Sequence, residues 1–374
     1  MHYAPTSYSE NFIMKKTQFG LNIFQKLLLV LLLVSLIPLI CLWYINAKQA
    51  RSDMDAHIAQ TMIATANTIE TGIVAWDNTN IRALRQIARI DDMTSMQAEK
   101  QNPILKGLTE TYEYSFLSLT IGLNGDNIGR SDDKPVNYYG DRGYVQAILK
   151  GAQISREVLL SKTTAKPSYV LAEPIRKNHG ELAGVIAMVM NLTDISKTVV
   201  DTKLGETGYA ILLDPSNKVI AHGRAEKVKT ALQDFNNHPA LALDSASDRP
   251  TPYKDGENNI LTFKRKLPQG WTLIVEQDYN EAYASIKKLE ADARNLILIT
   301  VALVFAVAFF IGKQLTRPIN ELTAIAAELS SGKFNLEIPQ TKRSDEIGAL
   351  ALAIERMGIS IQMAMDRLRK KSAE

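Results

Sequence analysis

Arg142 is the residue best suited to hold a small molecule. It sits in Tyr138-Tyr139-Gly-Asp-Arg142-Gly-Tyr144. A planar guanidinium offers a rigid fork for a carboxylate, and phenol rings beside it supply an apolar wall with a hydroxyl. Tyr169 is a further candidate for the same set. The plainer alternative is that Arg142 pairs with Asp141 or another surface acid while the tyrosines pack a sheet edge. No catalytic constellation stands nearby. His57, His179, His222 and His238 are scattered, and no His-x-x-x-His or Cys-x-x-Cys spacing offers metal ligands. Walker-type and dinucleotide-type glycine loops are absent. The chemistry points to binding rather than turnover, with no cofactor, no metal and no enzyme activity.

The elements that must position these residues lie between two apolar runs. Leu27–Ile45 extends nineteen residues without a charge and Asn295–Gly312 eighteen. At ~1.5 Å per residue each is ~27–29 Å long, enough for a hydrocarbon core of roughly 30 Å. Trp43 and Tyr44 stand at one end of the first run, where amphipathic rings favour the interface. A cleaved signal peptide is the alternative for that run. It is long and leucine-rich for a signal core, and an uncleaved anchor is the reading adopted. Met14 before Lys15-Lys16 offers a second start, so the chain begins at Met1 or Met14.

Charge does not orient the pair. Lys15, Lys16, Lys26, Lys313 and Arg317 flank the outer ends, against Lys48, Arg51, Lys287, Lys288 and Arg294 on the inner side. A net charge of +3 over 374 residues argues against nucleic acid as a main partner. The single cysteine, Cys41, falls within the first run, so no disulfide is expected in the loop.

That loop opens with a long helix, 46 to about 90, in which Met54, Ile58, Met62, Ala66, Ile69, Ile73 and Trp76 recur every three or four residues. Beyond Pro103 the pattern changes to strands. Phe116–Ile121 alternates and meets the Asn124-Gly-Asp126 turn, a short helix spans Tyr144–Leu149, and strands follow at Ser168–Ile175 and Leu182–Asn191. A second cycle contains hairpins at Gly208–His222 and Ile260–Gln277, with a linker near Thr198–Gly205. The succession suits an α+β fold of two tandem domains.

Tyr139-Gly-Asp-Arg-Gly-Tyr144, Ser161-Lys-Thr-Thr-Ala-Lys-Pro167, Ala172-Glu-Pro-Ile175 and Leu204-Gly-Glu-Thr-Gly-Tyr-Ala-Ile-Leu-Leu-Asp214 resemble the double Cache sensor domain of bacterial chemoreceptors and sensor enzymes. The resemblance covers about 46–285. It implies two PAS-like modules and a small-molecule pocket in the membrane-distal one, between its sheet and the helix carrying Arg142. Members that bind α-amino acids carry Arg-x-Trp-Tyr, Tyr-x-Asp and an aspartate in the last strand. The matching positions here are Arg142-Gly-Tyr144-Val145, Leu159-Leu-Ser161 and Val189. The arginine is kept and both aspartates are gone, so an ammonium would lack its anion. The implied ligand is a carboxylate or another small molecule without a cationic amine, not an α-amino acid. The implied site is Arg142, Tyr144, Tyr138, Tyr139, Ser161 and Tyr169.

Residues 313–366 resemble a HAMP domain through Leu315-Thr-Arg-Pro-Ile-Asn-Glu-Leu322 and Asp345-Glu-Ile-Gly348. Ile319, Leu322, Ala326 and Leu329 form one coiled-coil seam. Ile347, Leu350, Ile354, Met357, Ile361, Ala364 and Leu368 form the other. Pro318, Glu346 and Gly348 are the expected relay positions. Two parallel helices cannot bury their seams alone, so a homodimeric four-helix bundle is expected. HAMP modules are cytoplasmic, which puts the loop outside.

The expected organisation is a cytoplasmic segment 1–26, a membrane helix 27–45, a stalk and distal module 46–200, and a proximal module 201–294. A second membrane helix 295–312, the HAMP domain 313–366 and a helical exit 367–374 follow. The seam still runs at Leu368, which suggests a truncated receptor or one served by a separate cytoplasmic output protein. The expected function is a multi-pass sensor of the bacterial inner membrane, chemoreceptor-like, with a periplasmic loop. Its rivals are the input half of a histidine kinase, diguanylate cyclase or phosphatase whose catalytic domain is missing, and a dimeric membrane scaffold.

Overall fold

A computed structural model describes residues 23–162, 166–243 and 249–371. Most of the expected segment 1–26 and the end of the exit lie outside the described residues. The chain divides into a compact unit of residues 50–287 and another formed by 1–49 with 288–374.

The first unit is built on helix α1 (Ile23–Ile87), whose stripe of Ile58, Met62, Ala66, Ile69 and Ile73 is buried. Spacing at three and four residues puts those side chains on one face, so one helix serves as a spine for everything that follows. Two short connections, α2 (Asp91–Thr94) and α3 (Ala98–Thr111), lead into the first sheet. The change from helix to strand at Pro103 does not occur there, because α3 accommodates that proline in its second turn.

The first sheet contains β1 (Ser115–Gly122), β2 (Asn127–Arg130), β3 (Ser155–Leu160), β4 (Pro167–Arg176) and β5 (Leu182–Asn191), in the order β2-β1-β5-β4-β3. Helix α4 (Gly143–Leu149) covers one face. Helix α5 (Thr193–Val200) occupies the start of the expected linker. The second sheet contains β6 (Tyr209–Leu213), β7 (Val219–His222), β8 (Thr251–Asp255), β9 (Asn258–Lys266) and β10 (Thr272–Asp278), in the order β7-β6-β10-β9-β8. The order is that of the first sheet, strand for strand, and every pairing is antiparallel. Short helices α6 (Pro239–Ala242) and α7 (Tyr279–Ala282) complete this module.

Each sheet turns one face to α1. Tyr169, Leu171, Ile186 and Met188 from the first sheet and Ala210, Leu212, Leu273 and Phe263 from the second join the α1 stripe in one core. Strand alternation sends their neighbours to the opposite face. There the register aligns Leu117, Val189 and Val170 on one rung of the first sheet. On the second sheet the rung at the same place holds Tyr209, Glu276 and Thr262.

In the other unit, α8 (Ala284–Ile311) passes through a π-helical turn, Gly312–Thr316, into α9 (Arg317–Ser330). Gly332, with φ of 92°, ends α9 in the left-handed region that favours glycine. An extended connector then leads to α10 (Glu346–Lys371). The Phe24 ring crowds the place where a Cβ on Gly312 would stand, so the chain just before the first apolar run meets the end of the second. Among the described residues three helical stretches are long and apolar enough to cross a membrane by length and composition: Phe24–Ile87, Ala284–Ser330 and Glu346–Leu368. The third coincides with the second expected HAMP helix.

Candidate ligand site

The covered face of the first sheet and α4 enclose a cavity of about 10 Å³, lined by Leu117, Tyr139, Arg142, Tyr144, Leu159, Ser161, Lys162, Val170 and Val189. Four of the six expected site residues meet there: Arg142, Tyr144, Tyr139 and Ser161. Arg142 immediately precedes α4. Among the described residues its guanidinium has no carboxylate partner. Asp141, the acid named as its alternative partner, is taken by Lys162, whose Nζ lies 2.8 Å from Oδ1. That bond holds the Asp141 carboxyl below the usual carboxylate range.

The other nearby acid is committed as well. Glu157 on β3 accepts from the Tyr144 backbone N–H at 2.8 Å and so caps α4, which has no side-chain cap of its own. The Tyr144 ring is buried, and burial pushes its phenol well above the ordinary range, so it stays a hydroxyl. Tyr139 is fixed from behind. Its hydroxyl accepts from buried Arg130 at 3.0 Å, and Arg130 clasps Asp132 with Nε–Oδ1 of 2.8 Å and Nη2–Oδ2 of 3.0 Å. Burial works against the Asp132 charge, but the Arg130 bonds outweigh it and the carboxyl is held low.

Tyr138 and Tyr169 lie outside the cavity. Tyr138 is 55 % exposed; its carbonyl accepts from Lys162 Nζ and its ring lies over Gly140 and Gly125. Tyr169 neighbours Val170 on β4, and the two-residue period of a strand turns it to the α1 side. There its hydroxyl donates to buried Asp77 at 2.6 Å, while Arg156 Nε reaches the other Asp77 oxygen at 3.0 Å. Burial first, and Asp77 second, raise the Tyr169 phenol well above its usual value, so it remains the donor. A second link to α1 joins Arg85 and Glu173 at 2.7 Å. Strands β3 and β4 therefore touch the cavity with one set of residues and the long helix with the alternate set. Sequence reasoning missed Lys162, Arg130, Asp77 and Arg156. Parity along β4 was the one signal that could have moved Tyr169.

The expected relay positions have concrete surroundings. Pro318 is buried two residues past the π-helical turn, inside the continuous stretch Ala284–Ser330. Glu346 is exposed at the start of α10, and the capping falls to Asp345, which accepts from the Gly348 N–H at 3.1 Å. Arg343 bonds Asp345 through Nε at 3.1 Å and holds its carboxyl well below the usual range. Gly348 has no room for a side chain, because a Cβ would collide with the Arg343 carbonyl. Leu322, Leu329, Ile338, Ile347 and Ala351 are buried within the chain, while Leu350, Met357, Ile361 and Leu368 of the expected seam are exposed.

A pair of like-ordered sheets on a common helix, joined through α8 to two amphipathic helices, is the architecture of a membrane-linked sensor. The Cache domain matches residues 46–286, well over half of the chain, and the protein belongs to that family. A HAMP domain match covers 310–363. The chain is homologous to methyl-accepting chemotaxis proteins. It is 23 % identical to PctB of Pseudomonas aeruginosa over 82 % of this chain and 48 % of the relative. It is 22 % identical to TlpB of Bacillus subtilis over 91 % of this chain and 51 % of the relative. The chain thus spans about half the length of these curated relatives. Among solved structures, the ligand-binding domain of Campylobacter jejuni Tlp3, in complex with L-norvaline, superposes with a TM-score of 0.52. The match has 16 % identity and covers 62 % of this chain and 94 % of that one. The corresponding domain of Pseudomonas fluorescens CtaA, in complex with L-isoleucine, gives 0.50 at 17 % identity over 64 % and 98 %. At those identities the likeness concerns the fold.

Proposed function

We propose that this chain is the input and relay part of a bacterial transmembrane receptor, and that its first module binds a small extracytoplasmic carboxylate lacking an α-ammonium group. One observation carries the reading: among the described residues the Arg142 guanidinium has no acid partner, and it stands on a cavity wall whose sheet rung, Leu117, Val189 and Val170, is wholly apolar. A carboxylate satisfies Arg142. An ammonium would find Asp141 and Glu157 already committed, and leaving it buried without an anion is costly. Some neighbours of similar fold were solved with amino acids, but an apolar rung in this chain argues for a different ligand class.

A cavity of about 10 Å³ holds at most one water. A ligand therefore has to part α4 from the sheet, and β3 and β4 carry that displacement to Asp77 and Glu173 contacts on α1. The chain crosses the membrane at 27–45 and 295–312, and its helices 313–366 work as a homodimeric bundle in the cytoplasm. The exposed seam residues Leu350, Met357, Ile361 and Leu368 support the second copy. Catalysis is left to a separate output element.

The test is a thermal-shift series on the full chain in lipid nanodiscs, with paired ligands: small carboxylic acids and their α-amino counterparts. Carboxylates should stabilise the chain, and Arg142→Ala should weaken binding by about 10- to 100-fold, the worth of a charge-assisted pair. Amino acids binding more tightly than their deaminated partners, with affinity indifferent to Arg142, would refute the reading.

A further inference from the structure

The covered face of the second sheet takes no part in that reading, yet it holds a buried polar cluster of its own. Glu276 is 0 % exposed, and its two oxygens accept from phenols, Tyr253 at Oε1 and Tyr209 at Oε2, each at 2.7 Å. Two imidazoles close the group. His222 stacks on Tyr209 with ring centres 5.3 Å apart, and His238 stacks on Phe235 at 5.4 Å. His238 Nε2 lies 3.8 Å from Glu276.

Both imidazoles use Nδ1 in the same way. His222 Nδ1 accepts from the Arg224 N–H at 2.9 Å, and His238 Nδ1 accepts from the Ala240 N–H at 3.3 Å, starting α6. An accepting Nδ1 fixes the neutral ring with its proton on Nε2. The two bonds close local turns at opposite ends of the segment 223–242, which roofs this face through Val228, Phe235, Ala240 and Leu241, while the Lys264 ammonium on β9 donates to the Leu241 and Leu243 carbonyls at 2.9 and 2.7 Å. A second proton can enter only at Nδ1, where it would confront a backbone donor and break the bond.

We propose that the second module is itself a sensor whose ligand is the proton. Neutral His222 and His238 sit buried beneath and within the 223–242 segment, and a second proton at Nδ1 costs each ring its turn bond and favours opening of the segment to water. Glu276 then takes the His238 imidazolium as its ion-pair partner.

The surrounding charges act in both directions. For His222, burial is the largest influence, and Lys227, His238 and Arg224 also disfavour a proton while Glu226 favours it; together they bring the ring down to about 4. For His238, burial again dominates, with Glu276 and Asp255 favouring the proton and Lys227 opposing it, and the ring is lowered. Tyr209 and Tyr253 face the pair as hydroxyls, because burial and then Glu276 push both phenols up. Both histidines are thus held neutral by the fold. The stability they contribute is complete above the ordinary imidazole value of about 6.5 and is lost as pH falls from there toward about 4.

The test is hydrogen exchange on the full chain in lipid nanodiscs from pH 7.5 to 5.0, corrected for the intrinsic pH dependence of exchange. Protection of 223–243 should fall at least tenfold, while the β4–β5 peptides keep theirs. In His222→Asn/His238→Asn an amide oxygen replaces each Nδ1 and cannot titrate, so protection should stay constant. A pH-independent segment in the native chain, a pH response that survives in the variant, or parallel loss in β4–β5 would each overturn the proposal. Should the variant fail to fold, exchange at the imidazole C2–H of the native chain decides. His222 and His238 titrating at the ordinary imidazole value of about 6.5 would overturn it, and titration below that would support it.

Discussion

In the first module the rung of Leu117, Val189 and Val170 is apolar, and the charge above it is the guanidinium of Arg142. In the second module the same rung reads Tyr209, Glu276 and Thr262, and its charge is a buried carboxylate. Strand order, antiparallel pairing and the shared helix are common to both. At this rung all three side chains differ, and so does the covering segment. On the two readings proposed above, one scaffold presents a cation to an incoming anion and, a module later, an anion to an incoming cation. The difference would then lie in this rung, not in the topology.

The largest effects should come from the links to α1, where the modules also diverge. The first is tied by Asp77, buried and bonded to both Tyr169 and Arg156. The second is tied by Glu70 with Arg265, at 3.2 Å and about a quarter exposed on each side. Asp77→Ala should cost about 3 kcal/mol, because it strands a buried phenol and a guanidinium. Glu70→Ala should cost less than about 1 kcal/mol. Equal losses in denaturant titrations would erase this contrast.

A smaller change would carry the second module's logic into the first. Val189→Asp supplies an anion at the rung facing Arg142, and should shift the ratio of Kd values toward α-amino acids by about tenfold, the worth of one charge-assisted bond. Titration with an acid and its amino counterpart reads that ratio directly; an unchanged ratio would show that the rung does not select. The reverse exchange is the mildest. The Thr262 hydroxyl is buried without a partner among the described residues. Thr262→Val, which gives it the side chain of Val170, should be neutral or stabilising by up to about 1 kcal/mol in Tm measurements. A clear loss would mean that the hydroxyl has a partner in solution.

Much of this was legible in the chain. Interior strands β4, β5, β9 and β10 are apolar enough, and bounded by clear enough turns, to be read from sequence. Edge strands β2, β3 and β8 were not: β3 and β8 are half wet and lose the alternation that marks their neighbours, and β2 is only four residues long with buried Asn127 and Arg130 in place of apolar ones. Helix α3 was hidden by Pro103. At the site, Arg142, Tyr144, Tyr139 and Ser161 were found together by motif, whereas Tyr169 was assigned by residue type without asking which side of its strand it occupied. The histidine–glutamate cluster left no trace. Tyr209, His222, His238, Tyr253 and Glu276 come from separate segments, and only the register brings them together.

The π-helical turn at Gly312–Thr316 has its own consequence. Such a turn holds one residue more than the α-helix around it. The stretch Ala284–Ser330 is therefore an α-helical rod with a surplus residue parked at one spot. Deleting one residue inside that spot leaves the apolar face of α8 and the buried side of α9 in phase. Deleting one elsewhere swings everything downstream by about 100°, the arc of a single residue at ~3.6 per turn. The junction is thus the place where the rod can lose length without losing aim.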